Sequence, residues 1–409
     1  VTKPTWTDNK PRLFGGFFSV NYSLNNIYLF DVSYRFDGSS EFGSEKKWAP
    51  FWSVGAGINL HNYEFWNNYL PFISLFKLKG NVGETGKVNF SPYMAKHTYR
   101  VLLEEWYTTG IGAELMYMGN NNLTWEKQLS WNVGTEIQFL QGRVLVDFEV
   151  YNKRTRDLVT DVSMPSSSGF STYKDNIGEV ENRGFDADVQ WYVMRRSDLD
   201  VRVFGNIAHN KNKILKISES LKRYNERVNE HFDKYVYVSH SIGSILTSEY
   251  EKNASLGTPV MKYEEGASLT AIYGVRSLGI DPSNGKELYL YRNGQASHKW
   301  KATEEIVLGD SEPEASGSFG LNVTYKNFSL FASFGYEWGK QTYNETLIMN
   351  VENADIQGSN VDKRVLTQRW EKPGDIAPLK DIKDMNSVTL PTSRFVQDEN
   401  VLSLDALTL

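Results

Sequence analysis

Between Lys127 and Leu140 the chain reads KQLSWNVGTEIQFL. Leu129, Trp131, Val133, Ile137 and Phe139 fall on one side of an extended chain, with Thr135 among them. Gln128, Ser130, Asn132, Gly134, Glu136 and Gln138 fall on the other. Strand side chains alternate faces, so this period predicts a ribbon that is apolar on one face and polar on the other. About ten residues at roughly 3.3 Å each, tilted by roughly 45°, rise on the order of 23 Å, close to the apolar band of an outer-membrane barrel. Strands of soluble sheets run only about 5–6 residues.

The same pattern recurs along the chain. Leu13 to Tyr22 predicts a first ribbon, and Asn25-Asn26 turn it into IYLFDVSYRF, where Tyr28, Phe30, Val32, Tyr34 and Phe36 oppose Asp31, Ser33 and Arg35. A third ribbon aligns Trp52, Val54, Ala56 and Ile58. In a fourth, LFKLKGNVGETG, Phe76, Leu78 and Val82 oppose Lys77, Lys79 and Asn81. After the central ribbon, QGR turns the chain so that Val144, Val146, Phe148 and Val150 face away from Asp147 and Glu149. Phe185, Ala187, Val189, Trp191 and Val193 then oppose Asp186, Asp188 and Gln190. A hairpin follows in FGLNVTYKNFSLFASFGYEW, turning at Lys326-Asn327, and a last ribbon begins near Arg394. Tight turns alternate with long excursions, at 87–126, 211–263 and 339–393. The first of these reads as irregular, and the second as holding a short solvated helix in ISESLKRYNERVNEHFDKY. Such asymmetry is that of an outer-membrane barrel, and antiparallel neighbours that close on themselves leave no unpaired edge in lipid.

Composition narrows the choice. A net charge of −6 gives no polyanion-binding character, so nucleic acid is not an expected partner. Mean hydropathy is −0.46 and no run approaches 18 apolar residues, which argues against membrane helices but not against strands that turn alternate residues to lipid. The 23 Tyr, 22 Phe and 11 Trp stock an interfacial girdle. With no cysteine there is neither a disulfide staple nor a thiolate metal site. The N-terminus, VTKPTWTDNK, has no basic start and no apolar core, so it does not read as a signal peptide.

Catalytic chemistry finds no foothold. His61, His97, His209, His231, His240 and His298 are scattered without metal-ligand spacing, and Glu104-Glu105 and Glu264-Glu265 would point to opposite faces of a strand. In GEVENRG, Gly178 and Gly184 fit turns or close backbone packing; DPSNGKE holds too few spaced oxygens for a calcium loop. No metal, no cofactor and no enzymatic activity are expected.

Several stretches resemble the SusC/RagA-type TonB-dependent outer-membrane transporters of Bacteroidetes. They are YLFDVSYRFDGSSEFGSEKKWAPFWSVGAGINL, LFKLKGNVGETG, NNLTWEKQLSWNVGTEIQFLQGRVLVDFEVYNKRTRDLV, NIGEVENRGFDADV, IYGVRSLGIDPSNGKELY, LGDSEPEASGSFGLNVTYKNFSL and SRFVQDENVLSLDALTL. Asn122, where the family carries Pro before its Leu-x-Trp-Glu, and Glu314-Ala315, in place of its Asp-Phe, depart from the pattern at local turns. The resemblance implies an all-β fold, an antiparallel transmembrane β-barrel of the large plugged TonB-dependent type. It is present here as a partial barrel, with residues 1–409 forming part of one barrel domain. The plug, TonB box and early strands are expected upstream of Val1, and the last strands beyond Leu409.

The implied function is TonB-dependent import of oligosaccharides or peptides across the bacterial outer membrane, with outer-membrane lipid around the barrel. A SusD-like lipoprotein is the implied surface partner, and TonB-ExbB-ExbD act through the N-terminal region. Aromatics on outer loops can stack on sugar rings, which makes Trp106, Tyr107, Trp300, Trp338, Tyr343 and Trp370 candidate substrate contacts. Asp31, Arg35, Glu136, Asp147, Glu149, Asp186 and Asp188 are expected to face the lumen, solvating it or docking a plug. The three long excursions are the expected contacts of the lipoprotein. Two alternatives stay open: a passive porin, and a soluble secreted glycan-binding β-sandwich whose apolar faces would meet in a core.

Overall fold

A computed structural model describes residues 12–40, 48–87, 96–108, 110–120, 123–163, 172–176, 178–219, 221–230, 254–356, 360–384 and 388–409. Its strands are, in chain order, β1 (Leu13–Leu24), β2 (Tyr28–Ser39), β3 (Trp48–Asn59), β4 (Ile73–Lys87), β5 (Thr98–Tyr107), β6 (Gly110–Tyr117), β7 (Glu126–Phe139), β8 (Val144–Arg156), β9 (Val159–Ser163), β10 (Thr172–Asn176), β11 (Gly178–Arg195), β12 (Leu199–Ile217), β13 (Ala271–Gly274), β14 (Ser277–Ile280), β15 (Glu287–Leu290), β16 (Ala296–Ser297), β17 (Ile306–Asp310), β18 (Ala315–Tyr325), β19 (Phe328–Tyr343) and β20 (Val396–Thr408).

Eleven of them form one sheet in the order β1-β2-β3-β4-β7-β8-β11-β12-β18-β19-β20, so the sheet ends at β1 and β20. Seven of the ten adjacent pairs are consecutive strands, and β4–β7, β8–β11 and β12–β18 are bridged by excursions that carry strands of their own. Asn25 and Asn26 (φ 53° and 56°) make the β1–β2 turn, and Leu140, Gln141 and Gly142 (φ 53°, 60° and 79°) make the β7–β8 turn. Consecutive left-handed residues suit the twist of two-residue hairpins.

Contacts divide the chain into two compact units. The first holds residues 1–221, 316–336 and 402–409; the second holds 222–315 and 337–401. In the first, register carries apolar residues across the sheet in rows. Val20, Val32, Val54, Val82 and Trp131 form one row. Ile137, Val146 and Val189 form another, and Thr135, Phe148, Ala187 and Ile207 a third. Among the described residues, nothing in the unit covers these faces. Trp131 is 44% exposed and Val133 58%, and Val189, Trp191 and Val203 are exposed with them. An aqueous β-sandwich would have hidden these residues in a core.

The second unit is assembled differently. β13 pairs with β17, and β14, β15 and β16 form a small sheet. Val275, Tyr289, Tyr291, Trp300 and Leu390 make a core with Val228 and Leu256, while Val351, Ala354, Val365 and Leu379 make another. A helix over 221–230 is present, as predicted, but it is not simply a solvated surface element: Val228 is buried and Tyr224 packs against the core. Excursion 87–126, expected to be irregular, contains the β5–β6 hairpin. Its register shifts between Leu102 and Trp106, and that bulge breaks the alternation by which a strand is recognised in sequence. Loop residues 164–170 (MPSSSGF), like His231 and His240, lie outside the described residues.

Candidate functional site

The polar face of the first unit carries two recesses. One, of about 310 Å³, is lined by Asp31, Gly55, Lys77, Lys79, Asn81, Asn132 and Glu149, among others. The second, of about 460 Å³, is lined by Asp147, Glu149, Asp186, Asp188, Asn206 and Ser316, among others. Strand period places these side chains together, because residues paired directly across antiparallel strands share a face. Asp147 stands opposite Glu136 and Asp188, and Glu149 opposite Gly134 and Asp186.

Small residues create the depth. A Cβ at Gly55 would run into the Asp31 carboxylate, and one at Gly134 would meet the Phe148 carbonyl oxygen at 2.8 Å. Polar contacts cross the face: Lys79 Nζ lies 3.1 Å from Asp147 Oδ2, Asn132 Nδ2 donates to Glu149 Oε1 at 2.7 Å, and Gln190 Nε2 donates to Asp188 Oδ1 at 3.3 Å. Four carboxylates and no ammonium or guanidinium group line the second recess, so it favours cationic or hydroxyl-bearing groups over anions. Asp31, Asp147, Glu149, Asp186 and Asp188 thus share this face in or beside the recesses. Glu136 sits next to them in register, opposite Lys77, and Arg35 is elsewhere on β2, donating to Asp37 at 2.6 Å.

The aromatic candidates separate. Trp338 is 62% exposed on β19. Trp300 and Trp370 are buried instead, with indole N–H groups donating at 2.9 Å to the Pro391 and Pro282 carbonyls. A ring sealed in a core cannot stack on a sugar, so both are corrected to packing residues. Tyr343 is partly buried; its hydroxyl donates to the Gly257 carbonyl at 2.9 Å and accepts from the Thr392 N–H at 3.3 Å. Trp106 and Tyr107 end β5 beside Ile111 and Gly110, and their side chains lie outside the described residues.

Sequence reasoning missed a buried ionic node in the second unit. Arg394 donates to Glu287 Oε1 and Oε2 at 2.9 and 2.7 Å, to Glu352 Oε1 at 2.6 Å and to the Pro378 carbonyl at 2.7 Å. Thr392 adds a 2.7 Å hydrogen bond to Glu287. Burial would raise the Glu287 carboxyl, but the Arg394 charge and hydrogen bonds overcome it and hold the group below its usual range. Arg369 sits nearby, donating to the Val351, Glu352, Val365 and Lys380 carbonyls, and burial lowers its own pKa. The ligands come from three distant segments, so no local motif announces them. Among the described residues no group of three or more His, Asp or Glu side chains could hold a metal.

The TonB dependent receptor-like, beta-barrel family matches residues 3–273. The chain belongs to that family. SusC of Bacteroides thetaiotaomicron, a TonB-dependent receptor, is 31% identical over 354 residues, which is 83% of this chain and 32% of SusC. TonB-dependent receptor P3 of Formosa agariphila is 26% identical over 402 residues, 91% of this chain and 38% of that receptor. The chain therefore spans 32–38% of the length of these two relatives. Among solved structures, the RagAB peptide transporter superposes with a TM-score of 0.74 over 97% of this chain and 41% of that one. At 23% identity this shows a common fold. The family is one of outer-membrane receptors rather than enzymes, and as a member the chain belongs in the bacterial outer membrane, its uncovered apolar rows facing lipid.

Proposed function

We propose that this chain forms part of the barrel of a SusC/RagA-type transporter that imports oligosaccharides or peptides, driven by TonB-ExbB-ExbD and partnered by a SusD-like surface lipoprotein. The observation that carries the reading is the two-sided sheet: apolar rows exposed on one face, and on the other recesses lined by Asp, Glu, Asn and Lys. Hydroxyl-rich sugars and peptide groups are both recognised by such hydrogen-bonding side chains, while the opposite face is solvated by lipid. SusC, a TonB-dependent receptor, supports the dependence on TonB, and the RagAB peptide transporter supports peptides as cargo. Trp338 remains the exposed ring for stacking, and Trp106 and Tyr107 stay candidates as well.

Uptake of labelled oligosaccharides and peptides by cells carrying the intact transporter, with and without a functional TonB and the lipoprotein, tests this. Saturable uptake of one class that needs both is expected. Uptake that persists without TonB would reduce the protein to a passive porin.

A further inference from the structure

Beyond the apolar rows, the outward face of β8, β11 and β12 changes character abruptly. On β11 the residues sharing a face run Trp191, Val189, Ala187, Phe185 and then Arg183, with no register shift along that run. Phe185 stacks at the end of the apolar series, its ring centroid 6.1 Å from Phe148 and 5.6 Å from His209. One pair further on, Arg183 stands directly opposite Lys211, and Glu181 opposite Lys213. Arg154 and Arg156 of β8 continue the same face.

The carboxylates on this patch are already engaged. Glu179 is clasped by Arg154 and Arg156, and Glu181 accepts from Asn152 Nδ2 at 2.9 Å. Arg183, Lys211 and Lys213 are exposed and make no ion pair among the described residues. Like charges directly opposite on neighbouring strands repel, and among the described residues no carboxylate forms an ion pair with Arg183 or Lys211. An anion held between them would relieve the repulsion.

These positions lie where β8 and β11 lead into the connection through residues 157–177, the long-connection end of the strands, which in an outer-membrane barrel faces outward. There the outer leaflet of such a membrane presents phosphorylated glycolipid headgroups, at the level where the hydrocarbon band ends. We propose that Arg183, Lys211 and Lys213 form a binding site for the phosphate of an outer-leaflet glycolipid, with the acyl chains lying along the Phe185, Phe148 and Val189 rows. The inference rests on the outer-membrane placement but not on the transported substrate.

The test is binding of diphosphorylated lipid A to the intact, delipidated transporter in detergent, read by native mass spectrometry. Wild type is expected to bind it, to bind phosphate-free lipid A weakly, and to lose binding as salt rises. Arg183→Gln/Lys211→Gln should weaken the affinity on the order of tenfold or more, since each cation near a charged lipid surface contributes roughly the same increment. Lys213→Gln, a single exposed change, should weaken it several-fold and serves if the double variant does not fold. Equal binding of phosphate-free lipid A, full competition by inorganic phosphate, or variants that bind like wild type would each overturn the site. Substrate uptake by the same variants should be unchanged, so a failed transport reading and a failed lipid site give different results.

Discussion

Replacing Arg394 by Gln removes the guanidinium that is hydrogen-bonded to two buried carboxylates in the second unit. Their side chains are 4% (Glu287) and 0% (Glu352) exposed, so water does not take over the lost contacts. Four hydrogen bonds go with the guanidinium, three of them to carboxylate oxygens. Breaking a buried pair while leaving its partner charged costs about 3–5 kcal/mol, and here two partners are stranded. Because Glu287, Glu352 and Arg394 belong to three segments of the second unit, the loss should be felt there. Hydrogen exchange over residues 287–291 and 392–396 should show opening easier by at least about 3 kcal/mol at neutral pH, while 128–138 in β7 stays unchanged.

The pH dependence gives a second arm. In the wild type the folded pKa of Glu287 lies below its unfolded value, so its contribution is present above the unfolded pKa and fades as pH falls through the folded one. Without Arg394 burial dominates at Glu287, protonation relieves its carboxyl, and the gap between wild type and variant narrows on acidification. A loss under about 1 kcal/mol at neutral pH, or a gap that widens in acid, would refute the reasoning.

Three further outcomes follow from the first unit. Val189→Arg, on the lipid face, should destabilise the barrel in vesicles by about 2–4 kcal/mol in urea titrations, whereas Gln190→Arg, one residue along and on the polar face, should cost far less; similar costs at both would contradict the facing. Lys79→Met removes an ion pair whose side chains are 35% and 44% exposed, so its effect on the same titration should stay under about 1 kcal/mol. At Asn26 (φ 56°), Ala should cost about 1 kcal/mol and Gly little, because the turn needs a left-handed residue; equal stabilities would exclude that role.

Strand period was enough to read the sheet. Alternation over ten or more residues fixes both the extended conformation and which side chains share a face, and a one-residue slip would turn every Val189-like position into water. That is why Asp31, Asp147, Glu149, Asp186 and Asp188 could be assigned to one polar face from residue order alone, and why Asn25-Asn26 and Gln141-Gly142 marked their turns. Tertiary structure decided the rest. A tryptophan in a polar excursion looks the same in sequence whether it stacks on a ligand or seals a core, and only packing separates exposed Trp338 from buried Trp300 and Trp370. The bulge between Leu102 and Trp106 concealed the β5–β6 hairpin for a related reason: it breaks the only local signal a strand emits. Arg394 finds Glu287 and Glu352 across 107 and 42 residues, and no periodicity encodes a meeting between segments so far apart.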